Sequence, residues 1–484
     1  MNKQILSTAR LVVLMFLTLA VALSLTQVIT AQDVRADERN KRRLYESYNV
    51  ERGPIIVAGQ KIAYSEPSDD AFKFQRRYSA GPLYAPVTGY HSVTAQSATG
   101  LESIANAELS GTASSQWISR LEQLLAGAKP RGGALELTIN PAVQEAAWEA
   151  LGERRGAVVA LEPGSGRILA LVSRPTFDPS LVTSNDAVAN RERFTELEND
   201  PARPLVNRAI AGDLYAPGST FKVVTASALL THKLITPETE IDAPAEVTLP
   251  GTDSVLINYG GAECGDGRVT FQEAFDQSCN TPFVELSQKL GSERLASEAK
   301  AYGFGEPLEI PLRVTPSNYP EGSDPAQNAM LSIGQFDLRA TPLQMALVAA
   351  TIANGGVQMQ PYLVERELSA DLETTATTSP QVLRQSTSPE VAQVLSQMMV
   401  SEVENGTGEA AGLPDVSVAG KTGTAQTGSD EGGPHTWFIG FAPANKPTIA
   451  VAVLVEGGEQ AGDYDTGGAV AAPIARAVFE AALR

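Results

Sequence analysis

Residues 215–222 read Tyr-Ala-Pro-Gly-Ser-Thr-Phe-Lys, and this stretch decides what kind of protein the chain forms. The Pro-Gly pair is a helix-start signal, and residues 221–230 are an apolar run of helix length. Ser219 and Lys222 are three residues apart, so on a helix they share one face and their head groups come within hydrogen-bonding reach. A helix N-terminus favours a developing negative charge, and partial burial lowers the pKa of a lysine. The pattern therefore predicts Ser219 as a nucleophile and Lys222 as the base that takes its proton.

The Ser-x-x-Lys spacing alone is a weak signal, because it is common on solvated helices. Residues 297–300 repeat it in a polar context with no turn signal before it, which favours a surface helix. Two further motifs lie downstream, Ser278-Cys279-Asn280 and Lys421-Thr422-Gly423-Thr424. Each alone more often has a structural role, as a helix cap or as a strand entering a turn. Together and in this order, the three motifs are the signature of penicillin-recognising acyl-transfer enzymes.

Composition excludes several other functions. The chain has 484 residues, 43% hydrophobic and 19% charged, which is enough for two or three domains with ample core. A formal net charge of −19 argues against nucleic-acid binding, which needs a basic surface. The histidines, His91, His232 and His435, give no Ser-His-Asp pattern, and no Cys/His cluster has zinc-ligand spacing. No phosphate-binding Gly-Lys-Ser loop is present, so neither a metal nor a cofactor is expected.

The N-terminal segment predicts a membrane anchor. Residues 11–32 carry no charge, and as a helix they would be roughly 33 Å long, enough to span a bilayer core. Lys3 and Arg10 precede them, which keeps residues 1–10 cytoplasmic and exports the rest. A cleaved signal peptide is the alternative, with a small-residue site at 29–31. The apolar stretch is longer than a usual signal-peptide core, which favours an uncleaved single-pass anchor in the plasma membrane.

The remaining chain divides into two predicted domains. Residues 33–133 show no catalytic pattern and indicate a small, partly irregular pedestal that ends in a breaker run near 129–133. Residues 134–484 show strands first, helices in the middle, then strands and a terminal helix. This order predicts an α+β fold, an antiparallel sheet with a helical cluster, rather than alternating βαβ units. Its predicted strands lie at 134–139, 156–161, 168–172, 417–425, 436–441 and 448–456, and its predicted helices at 141–151, 221–230, 269–277, 281–290, 341–353 and 469–483.

With these motifs the chain resembles the class B penicillin-binding proteins, the single-pass D,D-transpeptidases that cross-link peptidoglycan, and most closely their short PbpA-type members. Further matching segments lie at 39–42, 52–55, 137–140, 156–161 and 334–335. The resemblance implies the transpeptidase fold that these proteins share with serine β-lactamases, placed after a membrane anchor and a dimerisation-like pedestal. It also implies covalent inhibition by β-lactams.

The resemblance also implies a role for each motif residue. Ser219 would attack the carbonyl of the penultimate D-alanine of a pentapeptide stem, and Lys222 would take its proton. Ser278, hydrogen-bonded between Lys222 and Lys421, would relay a proton to the leaving D-alanine. Asn280 would offer its side-chain amide to the donor peptide and its carbonyl oxygen to Lys222.

In the Lys-Thr-Gly-Thr strand, Lys421 would supply positive field and Thr422 a hydroxyl for the terminal carboxylate of the substrate. Gly423 would leave room for an extended peptide to pair with the strand edge. The backbone N–H groups of Ser219 and Thr424 would form the oxyanion hole.

The two cysteines, Cys264 and Cys279, are 15 positions apart, and export permits their oxidation. Cys279 is the middle residue of the Ser-Cys-Asn motif, so a disulfide would fix that loop beside the site. Two unrelated buried thiols are the alternative.

Two other functions stay open. A hydrolase of the same fold, a D,D-carboxypeptidase or a β-lactamase, fits the motifs, although no clear base for activating water is found between residues 280 and 421. A non-enzymatic scaffold or sensor is disfavoured by intact motifs. The resemblance implies a SEDS-type glycosyltransferase that polymerises lipid II as membrane partner, with the span and residues 39–52 as contact surfaces.

Overall fold

The computed structural model describes residues 2–28, 50–70, 72–113, 131–426, 433–457 and 465–484. The predicted juxtamembrane motif at 39–42 lies outside the described residues. So do residues 29–32, the end of the predicted span with its alternative cleavage site, and the start of the breaker run at 129–130.

The chain begins with a long helix, Asn2–Val28. Its 20-residue segment Ile5–Ser24 has a mean hydropathy of 2.2, and large apolar side chains such as Phe16 are exposed along it. Such a segment is about 30 Å long, the thickness of a bilayer core. Among the described residues this is the one helix long and apolar enough to cross a membrane, in agreement with the predicted anchor.

A six-stranded sheet, here called the N-terminal sheet, follows the anchor. Its strands, in spatial order, are Thr374–Thr377, Val364–Leu368, Ala134–Leu137, Ile55–Val57, Gln60–Pro67 and Phe74–Tyr78. Ala134–Leu137 and Ile55–Val57 run parallel, and the other neighbours are antiparallel. The sheet thus contains strands from both sides of the predicted boundary after residue 133, and that boundary stays a prediction. The same region holds the helices Gly81–Thr88, Gly100–Ile104 and Asn106–Leu109 and the short hairpin His91–Ser92 with Ser97–Ala98.

A buried ion network braces this N-terminal region. The fully buried Glu102 carboxylate is 2.5 Å from Arg52 Nε and 2.6 Å from Arg76 Nε, and it accepts a hydrogen bond from Tyr78 Oη at 3.2 Å. Burial alone would raise the pKa of Glu102, but Arg76 and Arg52 lower it to about 2. Arg52 is only 7% exposed, so the predicted partner-contact surface at 39–52 does not include its side chain.

The second sheet, here called the core sheet, has five antiparallel strands. In spatial order they are Ala419–Ala425, His435–Ala442, Ile449–Val455, Gly156–Leu161 and Ile168–Arg174. Ile449–Val455 and Gly156–Leu161 are buried at every position, because helices cover both faces of the sheet. This explains why their sequences are continuous apolar runs rather than alternating patterns.

Helices form a layer on each face of the core sheet. Pro141–Leu151 and Ala472–Ala482 pack on one face, where Val143 and Phe479 share a core with the sheet. The almost entirely buried helix Pro342–Ala353 packs on the other. Pro141–Leu151 begins as predicted, with the Asn140 side chain accepting a hydrogen bond from the N–H of Ala142.

A helical cluster lies beside the core sheet and completes the fold. Its helices are Lys222–Thr231, Phe271–Asp276, Thr281–Leu290, Ser292–Ala301, Pro325–Ser332 and Pro389–Asn405. Helix Ala187–Asn199 instead packs through Phe194 and Leu197 against Ala85 and Tyr90. Three small strand pairs accompany the cluster: Glu240–Asp242 with Arg268–Thr270, Glu246–Thr248 with Val255–Ile257, and Val357–Met359 with Val382–Gln385. The predicted α+β fold with an antiparallel sheet and a helical cluster is confirmed. The second Ser-x-x-Lys pair, Ser297 and Lys300, is exposed on its helix as predicted.

Candidate active site

Ser219 lies in the 3₁₀ turn Gly218–Phe221, here called the nucleophile turn. This turn leads directly into the α-helix Lys222–Thr231, here called the nucleophile helix. Gly218 has a φ of +54°, and a Cβ there would lie 2.9 Å from the carbonyl oxygen of Thr424. Its N–H donates to the carbonyl of Gly334 at 2.9 Å. The close approach to Thr424 and the hydrogen bond to Gly334 hold the turn in place. Ser219, within this turn, is half-buried.

The residues just before Ser219 are anchored to the core sheet. Tyr215 Oη donates to Glu456 Oε1 at 2.6 Å, and Arg208 Nε holds the same carboxylate oxygen at 2.7 Å. Trp437 Nε1 donates to the carbonyl of Ala216 at 3.0 Å. The nucleophile turn is therefore rigidly placed over the end of the sheet.

The amine of Lys222 is surrounded by three acceptors from the Ser-Cys-Asn motif. Its Nζ donates to the carbonyl oxygens of Ser278 at 2.7 Å and Cys279 at 2.8 Å, and to Oδ1 of Asn280 at 2.8 Å. The predicted contact between Lys222 and the Asn280 side-chain oxygen is thus present. The first two motifs meet at this amine.

Two features of its surroundings act against the charged form of Lys222. The side chain is fully buried. Burial lowers the pKa of Lys222 well below its usual value, and the positive charge of Lys421 lowers it further. A neutral amine beside a serine is what base-assisted attack requires.

Asn258 holds the Ser278–Asn280 turn in place. Its Oδ1 accepts from the N–H groups of Asn280 at 2.8 Å and Thr281 at 3.1 Å. Its Nδ2 donates to the carbonyls of Pro244 at 3.0 Å and Ala262 at 3.1 Å. No sequence signal marks this buried residue, because all four of its partners are main-chain groups.

Cys264 and Cys279 form a disulfide in the structure, with their Cα atoms 6.4 Å apart. The bond joins the segment after Asn258 to the middle residue of the Ser-Cys-Asn motif. The disulfide and the hydrogen bonds of Asn258 therefore connect the same two segments at two separate places.

The hydroxyl of Ser278 does not bridge the two lysines as expected. Ser278 contacts Lys222 through its main-chain oxygen, and Lys421 Nζ is instead near Glu402 Oε1 and the carbonyl of Thr422. Ser278 has a φ of +59° in the turn that ends helix Phe271–Asp276, and this turn presents consecutive main-chain acceptors to Lys222.

Ala419–Ala425 is the edge strand of the core sheet. It pairs with His435–Ala442 on one side, and within the described ranges no strand pairs with its other side. A Cβ on Gly423 would lie 3.0 Å from the N–H nitrogen of Thr220, so the strand touches the nucleophile turn there. Thr424 is half-buried, and its hydroxyl accepts from the N–H of Gly467 at 3.3 Å. The available edge and Ser219 are therefore neighbours.

Lys421 and Thr422 lie deeper than predicted. Lys421 is fully buried and Thr422 is 4% exposed. Lys421 Nζ is 3.4 Å from Glu402 Oε1, and the Thr422 hydroxyl donates to that same oxygen at 3.0 Å. Burial lowers the pKa of Lys421, while the charge of Glu402 and its hydrogen bond act to raise it.

Glu402 is a second residue of the site that was not predicted from the sequence, although the sequence contains a signal for it. Helix Pro389–Asn405 buries Leu395, Met398, Met399 and Val403, and Glu402 occupies a position on that same apolar face. A carboxylate on the buried stripe of an amphipathic helix is unusual unless it is paired. Among the described residues, no group of three or more His, Cys, Asp or Glu side chains is placed to hold a metal ion.

Comparison with known proteins accounts for this arrangement. Residues 156–480 match the family described as the penicillin binding protein transpeptidase domain, and residues 52–135 match the penicillin binding protein A dimerisation domain. The chain belongs to the PbpA-type penicillin-binding proteins. It is 45% identical to the peptidoglycan D,D-transpeptidase PbpA of Mycolicibacterium smegmatis over 100% of this chain and 99% of that protein. Its identity to PbpA of Mycobacterium tuberculosis is also 45%, over 95% of both chains.

Solved structures agree with the sequence comparison. The ceftriaxone acyl-enzyme complex of penicillin-binding protein A from M. tuberculosis aligns with a TM-score of 0.88 at 44% identity, covering 91% of this chain and 100% of that one. The penicillin G acyl-enzyme complex of the same protein aligns with a TM-score of 0.85, covering 90% of this chain and 100% of that one.

Proposed function

The protein is a peptidoglycan D,D-transpeptidase of the penicillin-binding type, and we propose that Ser219 is the residue that forms its acyl-enzyme and that β-lactams acylate. The observation that carries the proposal is the buried Lys222 amine, which follows the half-buried Ser219 by one helical turn and contacts Asn280. Relatives 45% identical over the full chain are peptidoglycan D,D-transpeptidases, and a similar structure holds a β-lactam as an acyl-enzyme.

In the acylation step, Ser219 Oγ attacks the carbonyl of the penultimate D-alanine of a stem peptide. A bond forms between Oγ and the acyl carbon, the amide bond to the terminal D-alanine breaks, and the serine proton passes to Lys222. The three acceptors around Nζ match the three N–H groups of an ammonium. A neutral amine has two N–H groups, so one of these contacts opens when Lys222 acts as base.

Charge develops on the carbonyl oxygen during this step. The main-chain N–H groups of Ser219 and Thr424 are the proposed oxyanion donors, because Gly218 packs directly against Thr424. Losing one such donor in comparable enzymes reduces kcat by about a hundredfold or more.

The edge strand provides the proposed substrate surface. An extended stem peptide would pair with the strand at Gly423, where a side chain would collide with the nucleophile turn. The Thr422 hydroxyl is engaged by Glu402, so the half-buried Thr424 hydroxyl is the better candidate for the terminal carboxylate. Lys421 contributes positive charge from beneath the strand rather than by contact.

The second half of the reaction transfers the acyl group to the amine of a neighbouring stem peptide. The amine nitrogen gives a proton to Lys222 as it bonds to the acyl carbon, the ester bond to Ser219 breaks, and Lys222 returns that proton to Oγ. In the earlier acylation step, the serine proton taken up by Lys222 passes on to the nitrogen of the leaving D-alanine, with Ser278 as the proposed relay; this requires its hydroxyl to turn towards Lys222.

The apolar N-terminal helix supports a place in the plasma membrane, with the catalytic domain outside the cytoplasm. A SEDS-type glycosyltransferase that polymerises lipid II in the same membrane is the proposed partner. Replacing the N-terminal helix with an unrelated apolar span should abolish co-purification with that partner, whereas unchanged co-purification would place the contact elsewhere.

Acylation by a fluorescent penicillin tests the proposed function. The full chain in detergent is labelled, chased with unlabelled drug and followed over hours beside Ser219→Ala. A persistent adduct that is absent in the variant is expected. An adduct that clears rapidly would instead indicate a D,D-carboxypeptidase or β-lactamase, and no adduct in the parent protein would favour the scaffold.

A further inference from the structure

Glu402 is a fully buried carboxylate beneath the edge strand, and one of its oxygens carries most of the polar contacts in this region. Oε1 accepts from the N–H of Thr422 at 3.0 Å and from its hydroxyl at 3.0 Å. It also accepts from the hydroxyl of Thr407 at 2.8 Å, and Lys421 Nζ lies 3.4 Å away. Both the backbone and the side chains of the strand are thereby attached to one helix position.

The surroundings are shaped to this carboxylate. A Cβ on Gly408 would lie 2.1 Å from Glu402 Oε2, and a Cβ on Gly406 would lie 2.3 Å from the carbonyl oxygen of Asp276. Glycine at 408 therefore lets the loop after helix Pro389–Asn405 pack against the carboxylate, and glycine at 406 lets it pack against the end of helix Phe271–Asp276.

A stability role alone does not explain the choice of glutamate. Replacing a buried ion pair by well-packed apolar residues is often neutral or stabilising, because desolvating two charges is expensive. The neighbours of Glu402 on the helix are Leu395, Met398, Met399 and Val403, so an apolar residue would continue the stripe. A carboxylate at this position therefore points to a use for its charge.

We propose that Glu402 is a positioning residue of the active site, which fixes Thr422 and supplies the negative charge that keeps Lys421 cationic beneath the edge strand. This rests on the proposed function, because the charge of Lys421 matters through the acylation of Ser219. Glu402 itself touches neither the nucleophile nor the substrate.

The charged groups that face this cluster come from three helices and the strand. Lys222 lies on the nucleophile helix, Asp276 ends helix Phe271–Asp276, and Glu402 lies on helix Pro389–Asn405 beneath Lys421. Glu402 and, more weakly, Asp276 oppose the effect of burial on the pKa of Lys421. Without the charge of Glu402, Lys421 would lose its proton at lower pH.

The two limbs of the pH profile respond differently. Acylation rises with pH as Lys222 becomes neutral and falls at higher pH as Lys421 loses its charge. Under acidic conditions Lys421 is cationic with or without the charge of Glu402, so removing that charge leaves the acid limb in place. The alkaline limb of such a variant should move to lower pH.

The experiment measures the second-order acylation rate constant for a fluorescent penicillin as a function of pH, with the full chain in detergent. Glu402→Gln keeps the shape and an acceptor oxygen but removes the charge. The midpoint of the alkaline limb of this variant's pH profile should fall by about one to three pH units, which is the effect of losing a nearby opposite charge. Glu298→Gln is the matched control, because Glu298 is also buried and accepts from a hydroxyl, Ser227 Oγ at 2.5 Å, but lies away from Lys421.

A midpoint does not depend on the fraction of active protein, so partial misfolding cannot imitate the expected shift. A rate lowered equally at every pH, with both midpoints unchanged, would mean a structural role only and overturn the proposal. If Glu402→Gln gives no adduct, Glu402→Asp is measured instead, because it keeps the charge. Acylation of Glu402→Asp with the same alkaline midpoint as the parent protein would support the proposed role of the charge, and no acylation would overturn the proposal. Loss of the adduct in Ser219→Ala, checked in parallel, keeps this result separate from the proposed function.

Discussion

Replacing Asn258 with alanine removes the two hydrogen bonds from the N–H groups of Asn280 and Thr281 to its Oδ1. It also removes the two that its Nδ2 donates to the carbonyls of Pro244 and Ala262. The N–H of Thr281 is fully buried and would be left without its acceptor, whereas the half-buried Asn280 can be reached by water. An unsatisfied buried group costs about 1–3 kcal/mol, and the lost donors add less, so the unfolding free energy should fall by about 2–4 kcal/mol.

The same change should slow acylation, because Asn280 holds the Lys222 amine at 2.8 Å. A shift of about 1 Å in a positioned catalytic group can cost up to a hundredfold, so a loss of about tenfold to a hundredfold is expected. The assay is the rate of fluorescent-penicillin labelling, corrected for folded protein, together with a chemical denaturation curve. Asn318→Ala is the control, an exposed asparagine with one 3.3 Å bond to the carbonyl of Asp337. Lower stability with unchanged labelling per folded molecule would refute the idea that Asn258 positions the catalytic turn.

Three further predictions concern charge and space. Lys222→Arg should abolish acylation at every pH, since a guanidinium keeps its proton; measurable labelling that rises with pH would contradict Lys222 as the base. Gly334→Ala should unfold or inactivate the protein, because its Cβ would lie 1.9 Å from the Gly218 carbonyl oxygen, whereas Gly305→Ala, at a similar φ, meets no described atom within 4 Å and should lose far less in thermal melts. Because the pKa of Glu102 falls from 4.5 to about 2 on folding, its stabilisation is present above pH 4.5 and is lost as pH falls towards 2. This loss amounts to about 3 kcal/mol, and acid denaturation of Glu102→Gln should lack that part of the pH dependence.

Much of the fold follows from local sequence signals. Helices Pro141–Leu151, Thr281–Leu290 and Pro342–Ala353 begin and end within a residue of the predicted positions, because each begins with a proline in its first turn and has a clear apolar pattern. Strands Gly156–Leu161 and Ile449–Val455 of the core sheet were predictable because they are uninterrupted apolar runs. The N-terminal sheet was not, because Val364–Leu368 joins Ala134–Leu137 across nearly half of the chain, and local patterns carry no information about such pairing.

The candidate site divides in the same way. Lys222 and Asn280 come together as their motifs indicate, with Ser219 one helical turn before Lys222, because short motifs with fixed spacing determine local geometry. The burial of Lys421 was not predictable, because its side chain is covered by helix Pro389–Asn405, whose position depends on tertiary packing. Asn258 was missed since its side chain acts on main-chain groups, which every residue has.

The N-terminal sheet has a consequence for how this protein can be inherited and engineered. Ala134–Leu137 lies between a strand from residues 55–57 and one from residues 364–368, so the sheet is completed only after most of the chain has been synthesised. A fusion that exchanges everything before residue 134 must bring a strand able to pair in parallel with Ala134–Leu137, or it leaves an apolar edge open to aggregation. The two halves of such a molecule are expected to be replaced together in evolution rather than shuffled as separate modules.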